Sequence, residues 1–128
     1  NNNLDMFEEV KVAALLQKFY WNNPTVLPAP EALLMATVNG AKALGFGTGT
    51  LAVGEPADII LASVHTACNT PLHHATSNLV YSCNGGVVET TICDGRVLML
   101  EREIPGEAAL REGASRAAHD LVLRAQGS

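Results

Sequence analysis

The chain has 128 residues, of which 48% are hydrophobic and 16% are charged, and its formal net charge is −5. This composition predicts a globular domain, because disordered chains are poor in hydrophobic residues and rich in charge. The eight Lys and Arg residues are scattered singly, which argues against a nucleic-acid-binding surface. Without a long apolar run or a basic leader pattern, we expect neither a membrane span nor a signal peptide.

The low charge content leaves much of the surface apolar or weakly polar. This favours burial against another segment or subunit, so we expect association with further chain and a homo-oligomer. The three cysteines, Cys68, Cys83 and Cys93, are an odd number and contain no C-x-x-C pair. They are typical of free structural thiols in a cytoplasmic protein.

Two helices are expected at the start of the chain. The first covers residues 4–21, where Asn3 or Asp5 can cap the helix and Glu8 fits a capping box with Asp5. The second covers residues 30–44. Both carry apolar stripes, which are Met6, Val10 and Ala13 on the first helix and Leu33, Ala36 and Gly40 on the second.

The rest of the chain is expected to form a small β-unit that contains one short helix and is followed by a final helix. Asp94 and Gly95 give its strongest signal, because this pair adopts the positive φ angles of a type I′ hairpin turn. The expected strands are at about 50–53, 58–62, 87–93 and 96–100. The expected helices in this part of the chain cover residues 70–82 and 107–125.

The histidines do not follow a known metal-binding pattern. His65, His73, His74 and His119 include no H-x-H pair and no H-E-x-x-H motif. Spacing alone would permit a site made from His65, His73 and Cys68, but surface histidines are the favoured interpretation. The cysteines lack the neighbouring positive charge that activates a thiolate. We therefore expect no catalytic residue and no metal ligand in these 128 residues.

Residues 49–63, Gly-Thr-Leu-Ala-Val-Gly-Glu-Pro-Ala-Asp-Ile-Ile-Leu-Ala-Ser, resemble the C-terminal region of the amidohydrolase superfamily. There, Gly-[Ser/Thr]-[Leu/Ile]-x-x-Gly-x-x-Ala-Asp-[Ile/Leu] leads from the catalytic barrel into a small β-domain. Residues 1–9 are similar to the segment after the last barrel strand in the chlorohydrolase/deaminase branch, and residues 36–45 to its next helix. Within that branch the likeness is to the 5′-methylthioadenosine/S-adenosylhomocysteine deaminases.

The resemblance implies an α/β parent with a (β/α)₈ barrel and a small composite β-domain. Residues 1–45 would supply the last helices of the barrel, and their apolar stripes would pack on barrel strands outside this chain. Residues 46–104 would belong to the C-terminal β-domain, and residues 105–128 would form a terminal helix.

The resemblance also implies a metal-dependent hydrolase that acts on C–N or C–Cl bonds of a purine- or triazine-like ring, most simply a deaminase. Family members bind one divalent metal, zinc or iron, through ligands in segments that precede Asn1. Asn1, Asn2 and Asn3 would occupy the loop after the last barrel strand, where they are candidates for lining the substrate entrance. Capping the following helix is the alternative role for these three side chains.

Two interpretations of the chain remain. In the first, it is the C-terminal part of such a hydrolase, inactive alone, and its partner is the N-terminal portion of the barrel. In the second, it is a self-standing non-catalytic domain that binds another protein. A start at Asn without Met, and a first helix whose partners would be barrel strands, favour the first.

Overall fold

The computed structural model describes residues 3–126, which adopt a mixed helix–sheet fold. Its helices and strands, in chain order, are α1 Met6–Tyr20, α2 Ala29–Leu34, α3 Gly40–Leu44, β1 Ile59–Ala62, α4 Ala75–Tyr81, β2 Val88–Cys93, β3 Arg96–Met99 and α5 Glu107–Gln126. A π-helical turn, Met35–Asn39, joins α2 to α3. Short 3₁₀ turns, Ala67–Asn69 and Gly85–Val87, precede α4 and β2.

The three strands form one antiparallel sheet in the order β1–β2–β3. In the β1–β2 pair, Ile59 lies opposite Ile92. The turn between β2 and β3 confirms the expected hairpin, since Asp94 and Gly95 have φ angles of +49° and +72°, as a type I′ turn requires. Three of the four expected strands are confirmed to within one residue at each end.

The fourth expected strand, over residues 50–53, is wrong, because the structure has turns and irregular backbone there. The preceding loop crosses the π-helical turn at very short range. A Cβ atom on Gly49 would lie 2.6 Å from the backbone oxygen of Thr37, and Gly49 itself has φ +67°. A glycine tolerates both conditions. Residues 50–53 follow this crossing and are all exposed, and they do not pair with β1.

The helix expected over residues 70–82 is shorter than the sequence indicated. α4 begins at Ala75, since the residue before it, His74, is extended with φ −136° and ψ 100°. Pro71 therefore lies in the segment before the helix and is not its first residue. The helices expected over 4–21, 30–44 and 107–125 are confirmed, with the π-helical turn as an interruption of the second.

The core is small and lies where α1, α2 and α4 meet. Val10 and Leu33 pack against it from α1 and α2. Both side chains are only partly buried, and Met6 of the same α1 stripe is 59% exposed. Helix–helix packing inside the chain therefore covers these stripes in part, and their packing on strands outside the chain stays a prediction. The fully buried members of the cluster are Ala14, Ala29, Ala32 and Val80.

The described chain exposes far more surface than a compact monomer. Its accessible surface is 9615 Å², whereas a monomer of this mass typically exposes about 6,500 Å². The outer face of α1 carries Leu15, Leu16 and Phe19, and Phe19 is 84% exposed. All residues of α5 except Gly113 are also exposed. None of the helices in residues 3–126 has the length and apolarity to cross a membrane.

Candidate functional site

The candidate entrance loop leads directly into α1, and Asp5 fixes where it ends. The Asp5 carboxylate caps the helix through one oxygen, Oδ1, which accepts from the backbone N–H groups of Phe7 at 2.9 Å and Glu8 at 3.4 Å. Its other oxygen, Oδ2, accepts from the backbone N–H of Gly85 at 2.7 Å. Asp5 therefore joins the start of α1 to the 3₁₀ turn that leads into β2.

These hydrogen bonds favour the ionised carboxylate. The bond from Gly85 is the largest influence, and it lowers the pKa of Asp5 below the ordinary value of 3.8. Partial burial opposes this change, while the N–H groups of Glu8 and Phe7 and the charge of Lys11 support it. Asp5 therefore carries a negative charge at neutral pH, in keeping with its place at the positive end of the helix dipole.

Asn3, the one candidate entrance residue within the described range, is exposed beside this cap. Its side-chain oxygen accepts from the Asp5 backbone N–H at 3.3 Å, and its side-chain nitrogen donates to the Glu8 carboxylate. Asn3 thus accepts the hydrogen bond from the Asp5 backbone N–H that the Glu8 side chain would accept in a simple capping box. Asn1 and Asn2 lie outside the described residues.

A cleft of about 490 Å³ lies between the π-helical region and the loop that crosses it. Its polar side chains are already engaged within the chain. Thr37 donates to the preceding helical turn at 3.0 Å, Thr48 and Thr50 bond to each other at 2.7 Å, and Asp58 accepts from the hairpin turn at 2.7 Å. The cleft therefore presents a mostly apolar lining, which includes Met6, Met35, Ala41, Leu44, Phe46 and Ile60.

The histidines do not assemble into a metal centre. His65, His73, His74 and His119 are all exposed. Throughout residues 3–126, no group of three His, Cys, Asp or Glu side chains is placed to hold a metal ion. The site considered from His65, His73 and Cys68 is therefore not formed by the described chain.

Sequence reasoning missed a buried polar cluster beside the 3₁₀ turn before α4. Asn69 is 2% exposed and donates to the backbone oxygen of Ser63 at 2.9 Å and to the Thr66 hydroxyl at 3.1 Å. It accepts from the buried Cys83 thiol at 3.2 Å. The sequence gives no local signal for this cluster, because Asn69 and Cys83 come together only through packing of α4.

Comparison with known proteins identifies the family to which this chain is similar. The model of the amidohydrolase family matches residues 1–98. The chain is 68% identical over 126 residues to a 5′-deoxyadenosine deaminase from Methanoregula boonei, covering 98% of this chain and 28% of that protein. It is 51% identical over 104 residues to a 5-methylthioadenosine/S-adenosylhomocysteine deaminase from Thermococcus onnurineus, covering 81% and 24%.

A solved structure gives the same relationship in three dimensions. A zinc-bound adenosine deaminase from Xanthomonas campestris superimposes with a TM-score of 0.87 and 32% identity. The match covers 92% of this chain and 28% of that structure. The chain thus spans about a quarter of the length of the relatives that it matches.

Proposed function

The chain belongs to the amidohydrolase family, and we propose that it serves as the C-terminal part of a deaminase that hydrolyses a C–N bond on a purine-like ring. One observation carries this proposal. The 68% identity to a 5′-deoxyadenosine deaminase runs through 98% of the chain, so it includes helices, loops and sheet alike. The C–Cl alternative is less favoured, because the matching relatives bear deaminase names. The deaminase names of these relatives also disfavour the alternative of a self-standing partner-binding domain.

A divalent metal, zinc or iron, is part of this proposal, and the zinc in the related adenosine deaminase supports it. The residues described here do not fit such an ion, since no three potential ligands converge among residues 3–126. We therefore place the metal ligands in another part of the protein and assign no catalytic step to this chain.

The proposed contribution of this chain is structural support around the substrate entrance. Asn1, Asn2 and Asn3 would line that entrance, and the Asp5–Gly85 hydrogen bond supports this role because it fixes the end of their loop against the β-unit. Asn3 lies exposed beside the cap. Its hydrogen bonds to Asp5 and Glu8 hold its orientation.

The exposed apolar surface supports a partner within the same enzyme. We propose that residues 1–45 pack on a (β/α)₈ barrel, that residues 46–104 belong to its small β-domain, and that residues 105–128 form a terminal helix on it. Phe19 and Leu16 are more than half exposed on α1, and burying a large apolar side chain contributes roughly 1.5–3 kcal/mol. The same surface is compatible with a homo-oligomer, and free cysteines are in keeping with a cytoplasmic enzyme.

The test is a substrate comparison with the full-length protein. Ammonia release is measured with 5′-deoxyadenosine, 5′-methylthioadenosine, S-adenosylhomocysteine and adenosine, and chloride release with a chlorinated triazine. We expect ammonia from at least one of the nucleosides and no chloride. Chloride release without nucleoside deamination would favour the chlorohydrolase function, and neither reaction in metal-replete protein would overturn the proposal.

A further inference from the structure

Two of the three thiols lie at one small polar cluster. The buried Cys83 thiol donates to the side-chain oxygen of Asn69 at 3.2 Å. The Cys68 thiol lies 3.1 Å from the Thr66 hydroxyl, and that hydroxyl accepts from the same Asn69 side chain at 3.1 Å. Thr66 and Asn69 therefore connect the two sulfur atoms through three consecutive short contacts.

The surroundings of the buried thiol also involve Cys68. Burial is the main reason that the pKa of Cys83 is raised above the ordinary thiol value, and Cys68 raises it further. Both thiols thus belong to the one cluster built around Asn69 and Thr66. Cys68 lies in the 3₁₀ turn before α4, and Cys83 lies just after α4, so a bond between them would close a loop of short length.

The two thiols differ in access to solvent. Cys68 is exposed and Cys83 is fully buried. An oxidant in solution would thus meet Cys68 first, while Cys83 stands behind it as the neighbouring thiol. Redox-active cysteine pairs commonly combine one accessible thiol with a second, resolving thiol.

We propose that Cys68 and Cys83 form a reversible disulfide by exchange with a small-molecule disulfide. The Cys68 thiolate attacks one sulfur of that molecule, breaks its S–S bond and releases one thiolate. Cys83 then gives up its proton and attacks the Cys68 sulfur, which forms the protein disulfide and displaces the second thiolate. The protein loses two electrons and two protons, and the small-molecule disulfide is reduced to two thiols.

This modification has a direct structural consequence. Forming the bond removes the S–H donor that Cys83 offers to Asn69. Cys83 also stands two residues before Gly85, whose N–H holds the Asp5 carboxylate. Oxidation therefore alters the segment that anchors the start of α1. The inference rests on the described contacts and does not depend on the proposed deaminase function.

The test uses the full-length protein, fully reduced and then incubated with oxidised glutathione at pH 8. Free thiols are trapped by alkylation, and peptides are mapped by mass spectrometry without reduction. We expect a peptide pair linked through Cys68 and Cys83, with both thiols lost together and both restored by excess reduced glutathione. Cys93 is the internal control, because its thiol is exposed but the nearby Asp58 charge raises its pKa.

Variants separate the two steps. In Cys68→Ser, an exposed substitution, Cys83 should stay unmodified because the oxidant cannot reach it. In Cys83→Ala, Cys68 should accumulate as a glutathione adduct, and Cys93→Ser should leave the linked pair unchanged. A stable glutathione adduct on Cys68 of the natural protein beside a free Cys83 would overturn the proposal. Thiol loss that Cys93→Ser abolishes, or no reaction at either Cys68 or Cys83, would overturn it equally.

Discussion

The Asp5 carboxylate accepts a 2.7 Å hydrogen bond from the backbone N–H of Gly85, a residue 80 positions later in the chain. Because the same carboxylate caps α1, one side chain orients the first helix and connects it to the β-unit. The loop before α1 can therefore keep a fixed position relative to β2. This relationship underlies the first two of five predictions on stability and assembly.

Replacing Asp5 by Ala should lower the free energy of unfolding of the full-length protein by about 1–2 kcal/mol, because the cap and the bond to Gly85 are both lost. Asp5→Asn should cost less, since its amide oxygen can still accept one of these bonds. Urea unfolding measures both. Asp120→Asn, on the exposed α5, is the control and should have little effect. Equal stability of Asp5→Ala and the natural protein would contradict this role.

The stabilisation by Asp5 should depend on pH. Its pKa is lower in the folded protein than the ordinary 3.8, so the stabilisation is fully present above the unfolded-state pKa and is lost as pH falls through the folded-state value. The stability difference between the natural protein and Asp5→Asn should stay constant above about pH 5 and shrink below about pH 4. A difference that grows on acidification would show that the sign is wrong.

Two glycines test the hairpin with the same substitution. A Cβ atom would meet no neighbour at either Gly95 or Gly113, but Gly95 has φ +72° and Gly113 lies within α5. Gly95→Ala should destabilise by about 1–2 kcal/mol through strain at positive φ. Gly113→Ala should stabilise by about 0.5–1 kcal/mol because alanine favours a helix. Thermal unfolding compares the two, and equal effects would argue against the type I′ turn.

A second glycine pair tests the loop that precedes residues 50–53. Gly45 and Gly49 both have positive φ, but a Cβ atom at Gly45 would have open space while one at Gly49 would clash with the backbone of Thr37. Gly49→Ala should therefore destabilise more than Gly45→Ala, by about 1–3 kcal/mol. If chemical denaturation found the two variants alike, the close crossing of the π-helical turn would be wrong.

The 128-residue chain produced alone should not be a well-behaved monomer. Its outer α1 face exposes Leu15, Leu16 and Phe19, and patches of this kind exceed what soluble monomers usually tolerate. Sedimentation at low micromolar concentration should show dimers or aggregates, and Phe19→Glu should reduce them. Arg111→Gln on α5 is the surface control. A compact monomer that binds no hydrophobic dye would instead support a self-standing domain.

Local signals predicted the parts of the fold that depend on neighbouring residues. The sequence predicts Asn3 or Asp5 as the cap of the first helix, and it predicts the Asp94–Gly95 turn from the preference of this pair for positive φ. The hydrogen bond from the Gly85 N–H to Asp5 could not be predicted, because Gly85 reaches the carboxylate only after the β-unit packs beside α1. Residues 50–53 follow the close crossing of Gly49 over Thr37. This crossing depends on packing between distant residues, so the alternating pattern of residues 50–53 wrongly predicted a strand.

The candidate site, like the fold, could be predicted from the sequence only in part. His65 and His73 are both exposed, and the expectation that these 128 residues supply no metal ligand stays a prediction. The cluster around Asn69 had no sequence signal, since a polar residue of this type is usually exposed. Burial with satisfied hydrogen bonds is a property of the packed fold, so this cluster required the structure.

We propose above all that this chain belongs to a deaminase whose metal ligands lie elsewhere in the protein. The most direct measurement is metal content together with nucleoside deamination, for the full-length protein and for the 128-residue chain after extensive dialysis. We expect about one equivalent of zinc or iron and ammonia release from the full-length protein, and neither from the chain alone. One tightly bound equivalent in the chain alone, lost in His65→Ala or His73→Ala, would contradict the account.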